Sequence, residues 1–120
     1  MYTETTDRNV GKRLRIAITG GTGFVGSALA QLLRERGCEV VLIALRARGP
    51  LPEGTTLRAI GLSDPATLTE ALAGCDAAAH LAGINREIGA QTYEAVHIQG
   101  TANLIVAART ARVRRIAMLS

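Results

Sequence analysis

Five short apolar runs, separated by amphipathic or glycine-rich stretches, organise this chain. The runs cover residues 14–19, 40–45, 56–60, 77–82 and 115–119. Each is too short for a stable helix and is bounded by turn-forming or charged residues, so we predict five β-strands. The run 40–45 is apolar without alternation, which is typical of a strand that is covered on both faces.

The stretch after the first strand predicts a helix. Residues 25–36 carry apolar side chains at helical spacing, which predicts one continuous apolar face. That face consists of Val25, Ala28, Leu29, Leu32 and Leu33. Gly37 stands where a helix would end on a left-handed residue.

Two more helices follow from the pattern. Asp64 and Pro65 have the sequence of an N-cap and a first helical residue, and Gly74 is placed to end that helix. Its predicted apolar face is Leu68, Ala71 and Leu72. Residues 91–112 predict a long helix in which Gly100 indicates close packing. Its predicted inward residues are Val96, Leu104, Ile105 and Ala108.

Strands that alternate with helices indicate a parallel sheet joined by right-handed crossovers. We therefore predict an α/β fold, a Rossmann-type doubly wound parallel sheet with strand order 3-2-1-4-5. Its ligand crevice should lie between the first and fourth strands. Residues 1–12 are expected to form a disordered tail and residues 13–120 one domain, because the chain has no internal repeat or linker.

The segment 19–26, Thr-Gly-Gly-Thr-Gly-Phe-Val-Gly, joins the first strand to the first helix. Strand, glycine turn and helix in this order form the phosphate-binding unit of dinucleotide sites. Gly20 permits a tight turn, Gly23 lets the backbone approach a diphosphate, and Gly26 lets the helix pack closely on the sheet. The open N–H groups and the dipole of the helix then favour the anion. The alternative is a glycine-rich connector without a ligand. The predicted binding residues of this segment are Gly20, Thr22, Gly23, Phe24, Val25 and Gly26.

Charge and aromatic content bear on nucleic-acid binding. The net charge of +4 comes from 13 Arg and one Lys against 10 acidic residues. These arginines are scattered apart from Arg114-Arg115, and Tyr and Phe together number three, with no Trp to stack on bases. We therefore predict no nucleic-acid partner.

The two cysteines, Cys38 and Cys75, indicate neither a disulfide framework nor a metal cluster. They precede strands that the predicted topology separates by one other strand, so we expect reduced core thiols. No apolar run approaches 18 residues, and residues 1–11 lack the apolar core of a signal peptide. We therefore expect no membrane span and a cytoplasmic location.

Three motifs resemble the extended or atypical branch of the short-chain dehydrogenase/reductase superfamily, which contains epimerase- and dehydratase-like proteins. Segment 19–26 is similar to its TGxxGFxG loop, residues 80–83 to its HLAG turn, and residues 100–104 to its GTxNLL helix. Residues 83–87, Gly-Ile-Asn-Arg-Glu, further resemble proteins similar to the NAD(P)-binding subunit associated with respiratory complex I. The resemblance implies an NAD(P) site. The predicted topology places Leu81, Ala82 and Gly83 across the crevice from the glycine turn.

The chain departs from that family at two places considered first. The family often has an Asp after the third strand that contacts adenine, whereas this chain has Ile60-Gly61-Leu62. Adenine recognition is then expected from main-chain groups near Leu62. His97 replaces a family Asn; the alternatives are that it keeps a polar contact or that it packs, and we favour packing. His80 is interpreted as a core residue at a strand end and not as a catalyst.

The resemblance also implies a catalytic Tyr-x-x-x-Lys pair and a Ser after the fifth strand, in which the Lys lowers the Tyr pKa. The only Lys is Lys12, and Tyr93 is followed four residues later by His97. Ser120 is a weak candidate for the catalytic Ser. We therefore expect the cofactor-binding part of an oxidoreductase or epimerase, truncated after the fifth strand and inactive by itself. The alternative is a non-catalytic NAD(P)-binding regulatory or structural module.

The end of the second strand bears on the choice of cofactor. An acid there would bind the ribose hydroxyls of NAD and repel a 2′-phosphate. This chain instead has Arg46 and Arg48, which favours NADP over NAD; the alternative is that both arginines are solvated loop residues. The fifth strand, with Ile116, Met118 and Leu119, predicts an uncovered apolar edge, which favours a homo-oligomer or poor solubility.

Overall fold

The computed structural model describes residues 13–20, 23–46, 49–81 and 98–118. In these residues the strands are β1 (Arg15–Thr19), β2 (Glu39–Ile43), β3 (Thr55–Arg58), β4 (Ala77–His80) and β5 (Arg115–Met118). The helices are α1 (Phe24–Glu35), α2 (Pro65–Leu72) and α3 (Gly100–Thr110). All five predicted strands are present, with ends shifted by one or two residues. The predicted first turns of the long helix, residues 91–97, lie outside the described residues.

The sheet has the order β3-β2-β1-β4-β5, and every pair of neighbours is parallel. This confirms the predicted doubly wound topology. Thr19 pairs with Ile43 on one side and with His80 on the other, and these pair in turn with Arg58 and Met118. The last residues of all five strands therefore form one row, and the strands end level at one edge of the sheet.

Successive side chains of the central strands pack on opposite faces of the sheet. One cluster joins Ala17, Val41 and Ala78 to the buried faces of α2 and α3. The other joins Ile18, Leu42 and Ala79 to α1. Since residues 40–43 are at most 2% exposed, β2 is covered on both faces, as its unbroken apolar sequence predicts. Leu45, predicted as part of this strand, instead lies beyond it and is 56% exposed.

The predicted apolar face of α1 is only partly correct. The residues of this helix that are buried are Gly26 and Ala30, and Leu29 and Leu33 are half-buried. Three of the predicted inward residues, Val25, Ala28 and Leu32, are exposed. The two small residues let the helix backbone lie close to the sheet, so the contact is narrower than the apolar stripe of the sequence.

The helix ends use the residues that the sequence indicates. In α1, Gly37 has φ +85° and its N–H donates to Arg34 O at 3.0 Å, while Cys38 N–H donates to Leu33 O at 3.0 Å. This pair of bonds is a Schellman ending. Helix α2 starts with the Asp64 side chain accepting from Ala66 N at 2.9 Å, with Pro65 in its first turn.

Helix α3 ends in the same way as α1 but without a glycine. Arg112 N–H donates to Arg109 O at 3.1 Å and Val113 N–H to Ala108 O at 2.8 Å. Arg112 therefore occupies the left-handed position, with φ +62°. The buried residues of α3 are Gly100, Leu104, Ala107 and Ala108. Of the predicted inward residues, Ile105 is only half-buried and Val96 lies outside the described part of the chain.

Cys38 and Cys75 are free and buried, as predicted. Burial raises the pKa of the Cys75 thiol, and the neighbouring Arg15 opposes that shift only in part. The thiol therefore stays protonated at neutral pH. No helix in the described ranges is long and apolar enough to cross a membrane.

Candidate functional site

The glycine turn begins directly at the row of strand ends. Gly20 has φ +74°, a left-handed conformation that favours glycine, and its N–H donates to Ile43 O of β2 at 3.0 Å. Gly23 N–H then donates back to Gly20 O at 3.0 Å, and Phe24 starts α1. The sheet thus passes into the helix through a tight turn at the predicted place. Gly21 and the predicted site residue Thr22 lie outside the described residues.

The first turn of α1 leaves donors without a helical acceptor. Ser27 N–H donates to Gly23 O at 2.9 Å, so the N–H groups of Phe24, Val25 and Gly26 precede the first helical bond. Gly23 supplies no side-chain cap, and no Asp or Glu stands in the first turn. The positive end of the helix dipole is therefore not offset by an acid of its own turn, which suits an external anion.

Gly23 has room for a side chain. It has φ −78° and ψ −179°, an extended conformation that any residue adopts. A Cβ built there would meet Gly20 O at 3.4 Å, an ordinary van der Waals contact. The fold itself therefore does not require glycine at this position, and the missing side chain leaves a small cradle at the helix terminus.

The other wall of the crevice is formed by the end of β4. Leu81 N–H donates to Thr19 O at 3.0 Å and to Thr19 Oγ1 at 3.1 Å, so the chain after β4 stays joined to β1 at the glycine turn. Leu81 is half-buried. The predicted residues Ala82 and Gly83, and with them most of the proposed opposite wall, lie outside the described ranges.

His80 lies beneath this crevice, 6% exposed. Its Nδ1 is 2.6 Å from Thr19 Oγ1 and its Nε2 is 3.0 Å from Thr101 Oγ1 of α3. Both ring nitrogens are thus within hydrogen-bond distance of hydroxyl groups, one on β1 and one on α3. This fits the prediction of a packed residue at a strand end. Neither threonine was among the predicted site residues, although a buried histidine needs such partners.

Of the predicted cofactor and adenine residues, Arg46 and Leu62 are described, and they follow the ends of β2 and β3. Arg46 is exposed just after β2, while Arg48 lies outside the described residues. Leu62 follows β3 and is half-buried, and its carbonyl oxygen accepts a 2.7 Å bond from Asn103 Nδ2 of α3. A Cβ on Gly61 would lie 3.3 Å from Leu45 Cδ2, so this loop packs against the chain that follows β2. Sequence reasoning did not identify Asn103 or Leu45 as part of this region.

Two predicted site residues of α1 are open to solvent: Phe24 is 93% and Val25 48% exposed. Ser120, the weak catalytic candidate, lies outside the described residues, as do His97 and Tyr93. Within the described ranges, no group of three or more His, Cys, Asp or Glu side chains is placed to hold a metal ion. The chemistry available in the described part of the site is thus that of main-chain donors, a helix terminus and arginine.

A parallel sheet ordered 3-2-1-4-5, with a glycine turn and an open helix terminus at its switch point, defines a Rossmann-type α/β domain. Residues 16–120 match the model of the NAD dependent epimerase/dehydratase family. The chain belongs to this family.

Individual relatives agree with that assignment. The chain is 47% identical over 72 residues to the epimerase family protein SDR39U1 of Bos taurus. This match covers 60% of this chain and 21% of the relative. It is 34% identical over 111 residues to the 3-beta-hydroxysteroid dehydrogenase of Mycolicibacterium neoaurum, covering 84% of this chain and 30% of that protein. A mutant uronate dehydrogenase from Agrobacterium tumefaciens, solved in complex with NAD, superposes with a TM-score of 0.76 at 28% identity.

The matched relatives are longer than this chain. The match to uronate dehydrogenase covers 90% of this chain but 41% of that protein. The chain thus spans between about a fifth and two fifths of the lengths of these three proteins. The matches therefore cover only part of each relative, and they concern the Rossmann domain.

Proposed function

We propose that this chain binds NAD(P), with the diphosphate held by main-chain N–H groups at the start of α1. The observation that carries the proposal is the left-handed turn at Gly20, which leads into an uncapped helix terminus without an acid in its first turn. The cradle at Gly23 fits the group, since a Cβ would project where the backbone and a phosphate oxygen must approach each other. When bound, the nicotinamide ring accepts or donates a hydride.

The parts of the dinucleotide would be held by different strand ends. Adenine is expected against the loop that contains Gly61 and Leu62, next to Leu45. Leu81 and the predicted Ala82 and Gly83 would line the opposite side of the crevice. The carboxyl edge of a doubly wound sheet at its switch point is the general location of such ligands.

We further propose that NADP is preferred to NAD. The strand end of β2 carries no acid, and Arg46 is exposed directly after it, with Arg48 two residues later. A guanidinium group binds a 2′-phosphate, whereas an acid at that strand end would favour the free ribose hydroxyls of NAD. The NAD in the uronate dehydrogenase structure is a property of that protein.

The test is a calorimetric titration with NADPH and NADH side by side. Changing Arg46 and Arg48 together to Ala should weaken NADPH binding at least about tenfold, which corresponds to roughly 1.4 kcal/mol. NADH binding should change by less than about twofold. Changing the exposed Arg109 and Arg114 to Ala is the charge-matched control. Equal losses for both cofactors would refute the preference, and wild-type protein that binds neither would refute the site.

We propose that the binding domain serves an oxidoreductase or epimerase, by similarity to the family. A second candidate is a non-catalytic NAD(P)-binding module; within these 120 residues the only lysine is Lys12, before β1. These 120 residues then hold no Tyr-x-x-x-Lys pair. Determining whether the coding sequence continues beyond Ser120 into such a pair separates the two candidates.

We also propose that β5 mediates self-association. Within the described sheet this strand pairs with β4 alone, and Arg115, Ala117 and Met118 are exposed on it. An unpaired edge with apolar neighbours favours pairing with another strand. The two buried free thiols suit a reducing compartment such as the cytoplasm, which we propose as the location.

A further inference from the structure

The loop between β3 and α2 borders the proposed site, and its first four residues carry no polar side chain. From Ala59 to Leu62 its residues are Ala, Ile, Gly and Leu. Main-chain groups of this loop must therefore distinguish one bound base from another. How well they do so depends on how firmly the loop backbone is held. Among the described residues, no main-chain carbonyl accepts a hydrogen bond from the Leu62 N–H.

The backbone of this loop is fixed at both ends. At its start, Ile60 N–H donates to Arg58 O at 2.9 Å, and Arg58 O also accepts from Ala44 N–H of the neighbouring segment at 3.2 Å. At its end, the Asp64 carboxylate caps α2 through Ala66 N–H. Between these anchors Gly61 packs against Leu45, with no room for a Cβ without a shift.

The middle of the loop is held by a residue far away in sequence. Asn103 Nδ2 donates to Leu62 O at 2.7 Å, across 41 residues. Asn103 is half-buried and lies next to Leu104, which is fully buried against α2. The carbonyl needs a donor, so an amide suits this position, whereas a carboxylate would place two acceptors together.

We propose that Asn103 is a positioning residue for recognition of the adenine base. Its bond to Leu62 O fixes the peptide that follows Leu62 and so holds the Leu62 N–H in place to donate to a ring nitrogen of the base. This inference rests on the proposed function, because it needs a dinucleotide in the crevice. It predicts that Asn103 controls the preference for adenine over a base that differs at the edge facing the Leu62 N–H.

The experiment compares NADPH with its hypoxanthine analogue, in which a carbonyl oxygen replaces the 6-amino group and the neighbouring ring nitrogen becomes a donor. Because that nitrogen no longer accepts from Leu62 N–H, wild-type protein should bind NADPH about tenfold more tightly than the analogue. Asn103→Ala should reduce that ratio to about twofold or less. Alanine has a higher helix propensity than asparagine, so α3 should tolerate the change.

Two further variants separate positioning from general stability. Asn103→Gln retains an amide donor and should restore part of the ratio. Thr110→Ala removes another α3 side-chain bond to a carbonyl, the 3.0 Å bond to Val106 O, and should leave the ratio unchanged. An unchanged ratio in Asn103→Ala, with wild type binding NADPH, would overturn this inference alone. Wild type that binds neither dinucleotide would overturn the proposed function and this inference together.

Discussion

Replacing Gly23 by Ala separates the needs of the fold from the needs of the ligand. The conformation of Gly23, φ −78° and ψ −179°, is open to alanine, and the new Cβ would meet Gly20 O at 3.4 Å. Gly20 is the matched control, because its φ of +74° is left-handed. Alanine at Gly20 should therefore destabilise the fold, whereas alanine at Gly23 should not.

The expected effects on stability follow from these angles. At Gly23, the lower entropy of the unfolded chain stabilises by about 0.4–1 kcal/mol, and alanine as a weaker N-cap costs roughly 0.5 kcal/mol. These terms nearly cancel, so the melting temperature should move by less than about 3 °C. Gly20→Ala forces alanine into the left-handed region at a cost of about 1–2 kcal/mol, which should lower the melting temperature by roughly 4–10 °C.

At Gly23 the expected effect on NADPH binding is large, although the effect on stability is small. A phosphate oxygen about 2.9 Å from the helix N–H groups leaves no room for a methyl group, whose optimal contacts are about 3.5–4.0 Å. Gly23→Ala should therefore weaken NADPH binding by at least about tenfold, or 1.4 kcal/mol. Calorimetric titration and thermal melting of the same samples measure both quantities. Unchanged NADPH affinity in folded Gly23→Ala would refute the placement of the diphosphate.

Three other predictions concern stability and self-association. Arg112→Gly should stabilise the protein by about 0.5–1 kcal/mol in urea unfolding, because glycine relieves the left-handed φ of +62°; an unchanged midpoint would contradict this. Because folding raises the pKa of the Cys75 thiol, stability should fall as the pH rises above about 8.5, by up to about 1.4 kcal/mol per pH unit. Cys75→Ala should reduce that slope, and an equal slope would argue against the shift. In light scattering the wild type should associate and Ala117→Lys, on the β5 edge, should be monomeric; a monomeric wild type would exclude association through that edge.

The sequence was sufficient for the features that depend on local interactions. Asp64 and Pro65 start α2, and Gly37 ends α1, because these contacts involve residues only a few positions apart. The strand order was also predictable, since right-handed crossovers leave few ways to arrange alternating strands and helices. The turn at Gly20 was predictable because glycine adopts the left-handed conformation found there, which few other residues adopt.

The packing of α1 and the length of β2 were predicted less well. Helical spacing identifies an apolar stripe but not which part of it meets the sheet. In α1 the small residues Gly26 and Ala30 form the contact, and Leu32 is left exposed. Leu45 is apolar and adjoins a buried strand, yet it lies beyond the end of that strand.

The sequence by itself thus determined the order of elements, the sheet topology and the position of the glycine turn. Only the tertiary structure showed that His80 contacts Thr19 and Thr101, and that Asn103 holds Leu62. The physical reason is distance along the chain: the partners are 21 to 61 residues apart. Single polar residues carry no periodic signal of such contacts, which arise only when the sheet brings the strand ends to one edge.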